Sequence, residues 1–314
     1  MHDHKFGIEI EFTGITRHKA AMAAADYFGM GVPHPPQSSH RGHYVRSGDG
    51  RTWGFVHDGS IRCQIRQDRR TVAAPADHSV ELVSPILTYR EDINTVQGLV
   101  RRLRKEGGFT NGSCGIHVHL DGADHTPRSI RNFINIIASK NDLLYKALQI
   151  PSERMRYCQK MDAYLVERMN LQKPRTFGKI KEICYQGYGG SCSGRFHQSR
   201  YHLLNLHSFF NGNRTVELRG FNSELHAGKV RAYIALALAL NNHALTLKSA
   251  SSRRVQSENE KFAMRVFLNR IGFIGDEFKS CREHLYLHLS GNAAWRYDNP
   301  PNRRNHDDGR RQDR

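Results

Sequence analysis

Four stretches of the chain alternate apolar and charged residues with a period of two. In Phe6-Gly7-Ile8-Glu9-Ile10-Glu11-Phe12 the apolar set is Ile8, Ile10 and Phe12, and the polar set is Glu9 and Glu11. In Asn111-Gly112-Ser113-Cys114-Gly115-Ile116-His117-Val118-His119-Leu120 a Gly-rich turn feeds Ile116, Val118 and Leu120, alternating with His117 and His119. Thr215-Val216-Glu217-Leu218-Arg219-Gly220-Phe221 sets Val216 and Leu218 against Glu217 and Arg219, and Ser79 to Pro85 carries Glu81 in an apolar run. Successive side chains of a strand point to opposite faces. Each stretch therefore predicts a strand with one face in a core and ionisable groups on the other. Charges in such strands are costly to bury unless paired or bound to metal, so together they mark a site.

The remaining pattern predicts the frame around these strands. An Ala-rich helix is expected over 19–28, then a Pro- and Gly-containing loop over 31–50. A strand over 52–56 turns at Asp58-Gly59 into a hairpin partner at Ser60-Ile61-Arg62, and the polar residues 64–78 read as a hairpin loop. Tyr89 to Lys105 has apolar residues at 93, 96, 100 and 103, which is helical spacing, and Gly107-Gly108 stops it. Thr126-Pro127 opens a helix carrying Ile130, Phe133, Ile134 and Ile137 and running to about Gln149. Residues 151–200 hold ten Lys or Arg against four Asp or Glu. They predict a helix near 153–170, then a basic, Gly-rich loop. A strand over Tyr201–Phe210 precedes the Glu217 strand, and a long helix spans His226–Lys248. Two helices follow over 258–289, broken at Gly272 and Gly275, and the polar tail from Asp298 is expected to be disordered. No internal repeat is visible.

Composition narrows the function classes. The 314 residues are 38% hydrophobic, enough for a folded core, with a mean hydropathy of -0.63. Lys plus Arg number 47 against 30 Asp plus Glu, a net charge of +17, with 19 His in addition. That excess favours polyanionic partners or substrates, or reflects a solubility bias; no nucleic-acid-binding motif accompanies it. Six Cys with no C-x-x-C pair exclude a zinc ribbon and a small disulfide scaffold. The opening Met-His-Asp-His-Lys has no signal-peptide pattern, and the longest apolar run, Ala232 to Leu240, is too short to span a bilayer. A reducing, cytoplasmic setting without membrane attachment is the expectation.

Glu9, Glu11, Glu81 and Glu217 offer hard oxygen ligands and His117 a nitrogen, a set that suits Mg²⁺ or Mn²⁺ better than a thiolate zinc site. Arg219 beside Glu217 suits a phosphate held by such metals. The chemistry implied is phosphoryl transfer from a nucleoside triphosphate, although the chain has neither a G-x-x-x-x-G-K-[ST] loop nor a kinase motif pair.

These segments, with Arg200-Tyr201…Leu204-Asn205 and Thr215…Arg219-Gly220-Phe221-Asn222, resemble the amidoligase family over roughly residues 5–245. That family is related to glutamine synthetase and glutamate–cysteine ligase and is often found in phages and bacteria. The segment from Asn111 to His119 is also similar to the double-His segment of glutamine synthetase itself. The resemblance implies an α+β fold: a curved antiparallel sheet of the glutamine-synthetase catalytic-domain type, helices on its outer face, ATP and divalent metals on its concave face. It implies an amidoligase-like catalytic domain over 1–250, with 151–200 as a basic insertion or lid. A C-terminal helical extension over 251–297 and the tail 298–314 follow. By motif, Glu11 and Glu81 would hold the metal nearer the acceptor carboxylate, and Glu9, His117 and Glu217 the metal bridging the ATP phosphates. His119 would contact the nucleotide or its phosphates, Arg219 would steady the transferring phosphoryl group, Arg200 would bind phosphate or carboxylate, and Asn205 would orient. The activity implied is ATP-dependent amide-bond formation through an acyl phosphate, with the loops at 31–50 and 185–198 as candidate lids. The carboxylate and amine substrates stay open, with the basic surface favouring an acidic or polymeric acceptor.

Three other readings compete. A metal-dependent hydrolase would use His117-x-His119 with Glu9 or Glu11 as base, which leaves Glu217 and Arg219 without a role. A thiol enzyme would use Cys114 near His117, without an obvious orienting residue. A non-catalytic nucleic-acid-binding protein would rest on the charge alone.

Overall fold

The alternating stretches form the centre of one antiparallel sheet. The computed structural model describes residues 2–31, 42–189, 191–194, 196–254 and 257–295. In chain order, strand β1 is Lys5–Phe12, helix α1 Arg17–Tyr27, β2 His43–Arg46, β3 Thr52–Val56, β4 Gln64–Gln67 and β5 Arg70–Ala73. Next come β6 Val80–Val83, β7 Leu87–Thr88, α2 Tyr89–Lys105, β8 Gly115–Asp121 and α3 Pro127–Ala147. The second half holds α4 Ala163–Gln172, α5 Phe177–Tyr185, β9 Leu204–Asn205, α6 His207–Asn211, β10 Thr215–Asn222, α7 Ala227–Thr246, α8 Glu260–Arg270 and α9 Lys279–Tyr286. The sheet order is β2-β3-β6-β1-β8-β10-β9, with β7 on β1 beyond β6, and β4-β5 pair apart from it. Every pairing in the sheet is antiparallel. The fold is α+β.

One face of the sheet is the core. Phe6, Ile8, Ile10 and Phe12 of β1, Ile116, Val118 and Leu120 of β8, and Val216 and Leu218 of β10 are all buried in it. The helices α2, α3 and α7 pack together over that face. Removing any one of these large side chains would cost about 2–5 kcal/mol. Thr126 caps α3 in a capping box with Ser129, and Pro127 takes the first turn. The segment beyond 250 adds Met264, Phe267, Leu268, Phe273 and Leu285 to the same core. No helix among the described residues is long and apolar enough to cross a membrane.

Several expectations are corrected. Ser60-Ile61-Arg62 does not form a strand; β3 pairs instead with β2 and β6. Asp58 accepts from Ser60 N through Oδ1 at 2.6 Å and is tied to Ser79 Oγ, which diverts the chain before a hairpin can close. The 64–78 stretch is not a loop alone: β4 and β5 form a hairpin turning at Asp68 and Arg69, both at positive φ. The helix expected near 153–170 starts only at Ala163, where Asp162 caps it by accepting from Tyr164 N. Before that point the chain turns over 155–157, and the backbone of Gln159 then bridges to that of His202 beside the β9 segment. Helix α5 occupies part of the expected loop. The strand expected over Tyr201–Phe210 is confined to β9, because Asn205 Oδ1 accepts from His207 N at 2.8 Å and turns the chain into α6. The loop over 31–50 contains β2. Residues 32–41 of that loop, 190 and 195 of the second expected lid, and the tail from 298 lie outside the described residues.

Candidate active site

Strand register brings the ionisable residues together. Glu9 lies opposite His117, Glu11 opposite Glu81, and Glu217 opposite His119 and Asn205. Because side chains directly opposite share a face, the alternation within each strand and the register between strands collect all of them on the face away from the helices. Donor atoms of Glu9, His117 and Glu217 lie within 4.8 Å of one another, as do those of Glu11, Glu81 and His117.

His117 stands between the two groups. Its Nδ1 is 2.9 Å from Glu9 Oε2 and 3.8 Å from Glu217 Oε1, while its Nε2 is 3.8 Å from Glu11 Oε1. A neutral imidazole has a single lone pair to give, so His117 can ligate a metal in one group and present an N–H to the other. His119 Nε2 is 3.1 Å from Glu9 Oε1 but outside hydrogen-bonding angles. Glu11 Oε2 accepts from the backbone N–H of Gly115 at 2.6 Å. Asn205 Nδ2 donates to Glu217 Oε2 at 2.7 Å, so Asn205 reaches the site by fixing this carboxylate.

Strand β10 breaks register between Leu218 and Phe221, and such a bulge re-aims side chains. Arg219, within that break, places Nη1 2.6 Å from Glu217 Oε1 and leaves its Nε buried without a hydrogen-bond partner. Arg200 ends a 3-10 turn over Gln198–Arg200, its guanidinium 5.8 Å from the Tyr201 ring centroid. Glu11, Glu81, His117, Arg154, Arg200 and Arg219 line one cleft of about 750 Å³, within the roughly 300–1,000 Å³ usual for small-molecule sites.

The electrostatics divide the site. Burial alone would raise Glu9, but the neighbouring His119 and His117 hold it well below the carboxylate range. Glu217 is likewise pushed up by burial and brought down further by Arg219 and the two imidazoles. His119, depressed by burial, is carried up to about 9 by the Glu9 and Glu217 charges. Glu81 goes the other way: burial, then the charges of Glu9, Glu11 and Asp58, push it up to about 9. Burial also raises Glu11. Crowded carboxylates cannot all ionise without a cation among them, and an oxygen-rich set with one imidazole suits a hard divalent ion. The donor set therefore fits Mg²⁺ or Mn²⁺.

Of the acidic and arginine side chains lining the cleft, two, Asp58 and Arg154, carry no site signal in the sequence. Asp58 adds its charge to those of Glu11 and Glu81. Arg154 is almost fully buried beside Gly115, where a Cβ would come within 2.3 Å of its Nη2. Neither stands in an alternating strand, and Arg154 is one of ten basic residues in its segment. Cys114, by contrast, is buried with its thiol pushed up to about 11, chiefly by burial. A thiol so disposed is a poor nucleophile.

No match was found among curated proteins. A family model described as "putative amidoligase enzyme" matches residues 2–241, a span that includes every site residue named above. With most of its length matched, the chain belongs to the amidoligase family, whose description is that of ligase-type enzymes.

Proposed function

We propose that this protein joins a carboxylic acid to an amine with ATP as the energy source. The observation that carries this reading is the pair of carboxylate groups meeting at His117, of which Glu11, Glu81 and His117 line a cleft together with Arg154, Arg200 and Arg219. The antiparallel sheet with a carboxylate-bearing face also supports a fold of the glutamine-synthetase catalytic type. In this reading a carboxylate oxygen of the acid attacks the γ-phosphorus, the bond to the ADP oxygen breaks, and an acyl phosphate forms. The amine nitrogen then attacks the acyl carbon, phosphate leaves, and the nitrogen gives up its proton.

Glu9, His117 and Glu217 would hold one divalent ion, and Glu11 with Glu81 a second, with His117 turning its Nε2 hydrogen toward Glu11. Such ions, when bound, neutralise phosphate oxygens and orient the displacement. Asn205 holds Glu217 in place through its 2.7 Å hydrogen bond. Arg219 uses Nη1 on Glu217 and keeps donors for the charge that develops on the transferring phosphoryl group. His119 and Arg200 are assigned to the nucleotide phosphates, and the basic surface favours an acidic or polymeric acceptor.

Mass spectrometry of reactions containing ATP, Mg²⁺ and pooled carboxylates and amines tests the reading. The expected result is ADP together with a product of acid plus amine less water, both abolished by chelator. Product that forms without ATP, or that survives metal removal, would overturn it.

A further inference from the structure

Arg154 is a buried cation without a carboxylate partner. It is 3% exposed, at the end of a 3-10 turn over Ser152–Arg154. Its Nη1 donates to Phe221 O and, at 3.3 Å, to Asn222 Oδ1, and its Nη2 donates to Arg219 O at 3.2 Å. All three partners are neutral. Its neighbour Glu153 faces Arg62 instead, and among the described residues no ion pair includes Arg154. A guanidinium has five N–H donors, so two remain beyond those three bonds. Burying a charge without a counter-charge is costly, and this one lines the cleft next to Glu11, Glu81 and His117.

The sequence makes room for it. A side chain at Gly115 would bring Cβ within 2.3 Å of Arg154 Nη2. The N–H of the same Gly115 donates to Glu11 Oε2. The guanidinium is thus seated against the start of β8, at the Glu11 end of the site. Its bonds to the carbonyls of Arg219 and Phe221 span the register break in β10.

We propose that Arg154 binds the carboxylate of the acid substrate at the Glu11–Glu81 end of the cleft, while its other donors hold the β10 bulge that carries Arg219. The proposal rests on the ligase reading for the identity of its ligand. A planar guanidinium with two donors left is suited to a carboxylate in a way that a lysine ammonium is not. The ion-pair partner that Arg154 lacks is then the substrate carboxylate.

Acetate serves as the carboxylate probe, followed by saturation-transfer NMR on the full-length protein in Mg²⁺ and in chelator. Wild type should give a saturable acetate signal. Arg154→Gln should weaken it by about ten-fold or more, Arg154→Lys should weaken it less while preserving the fold, and Arg156→Gln, on the exposed neighbour, should leave it unchanged. Thermal melts monitor folding of each variant, and calorimetry measures Mg²⁺ affinity. Equal acetate signals from wild type and either folded Arg154 variant, or no signal from wild type in either condition, would overturn the proposal. Failure of wild type to bind Mg²⁺ would instead overturn the ligase reading, and the chelator arm would still decide whether Arg154 captures a carboxylate.

Discussion

Glu81→Gln should stabilise the metal-free protein at neutral pH, the reverse of what losing a paired charge does. In the folded chain Glu81 is pushed from an ordinary 4.5 up to about 9 by burial and by Glu9, Glu11 and Asp58. The folded state therefore holds a proton that the unfolded state has released anywhere between those two values. Stability falls as pH rises above the lower value and levels off only above the upper one. Each pH unit in that window is worth about 1.4 kcal/mol. From 4.5 to pH 7 the loss reaches at most about 3.5 kcal/mol, reduced because Glu81 shares its environment with the other carboxylates. A glutamine carries no such penalty. Urea unfolding in chelator between pH 5 and 8 should show wild-type stability declining and the variant's declining less, with the two curves diverging toward pH 8. Adding Mg²⁺ should stabilise wild type and do less for the variant. A variant less stable than wild type at pH 7.5 in chelator, or one with the same pH slope, would refute the reasoning.

Arg219→Lys should lower turnover by about thirty- to a thousand-fold, or roughly 2–4 kcal/mol, while MgATP affinity changes little; ADP release and calorimetry on the same preparation separate the two. Asn205→Ala removes the donor to Glu217 Oε2 and should cost about 1.5–3 kcal/mol in chemical denaturation, the scale of a hydrogen bond to a charged group. Cys192 is exposed and Cys114 buried with a raised thiol, so iodoacetamide at pH 8 should label Cys192 well before Cys114 by peptide mass spectrometry; comparable rates would contradict the burial of Cys114.

The part of the site legible in the sequence is the part built on strands. A period-two pattern fixes which side chains share a face within a strand, so Glu9 with Glu11 and His117 with His119 could be grouped before any pairing was known. Helix α2 was legible to its bounds for a similar reason, since its apolar positions repeat at helical spacing and glycines stop it. Residues 151–211 were not. There the chain follows side-chain to backbone bonds that no periodicity encodes. Asp162 caps α4 and Asn205 turns the chain after two strand residues, and beside them an isolated backbone bridge joins Gln159 to His202. Such bonds compete with regular structure wherever Asn, Asp or Ser can reach a nearby N–H. The contribution of Arg154 was hidden for the same reason: its partners are carbonyls more than sixty residues away.

What register and burial produce together is a site unevenly charged along its length. At one end Glu9 and Glu217, both anionic, face His119 and Arg219, whose charged forms they favour. Two anions there meet two cations of the protein's own. At the other end Glu11, Glu81 and Asp58 crowd together with Arg154 nearby, and the excess shows in the raised Glu11 and Glu81. A divalent ion at the first end displaces an existing balance, whereas one at the second supplies what the protein lacks. Attraction at short range in a partly buried setting is far stronger than in water, so the Glu11–Glu81 group has the greater electrostatic need of a cation. The imidazole between them accommodates either demand, since His117 can offer its lone pair to one group only by turning its hydrogen to the other. The two groups are therefore coupled through one residue, and replacing His117 would disturb both ends of the site together.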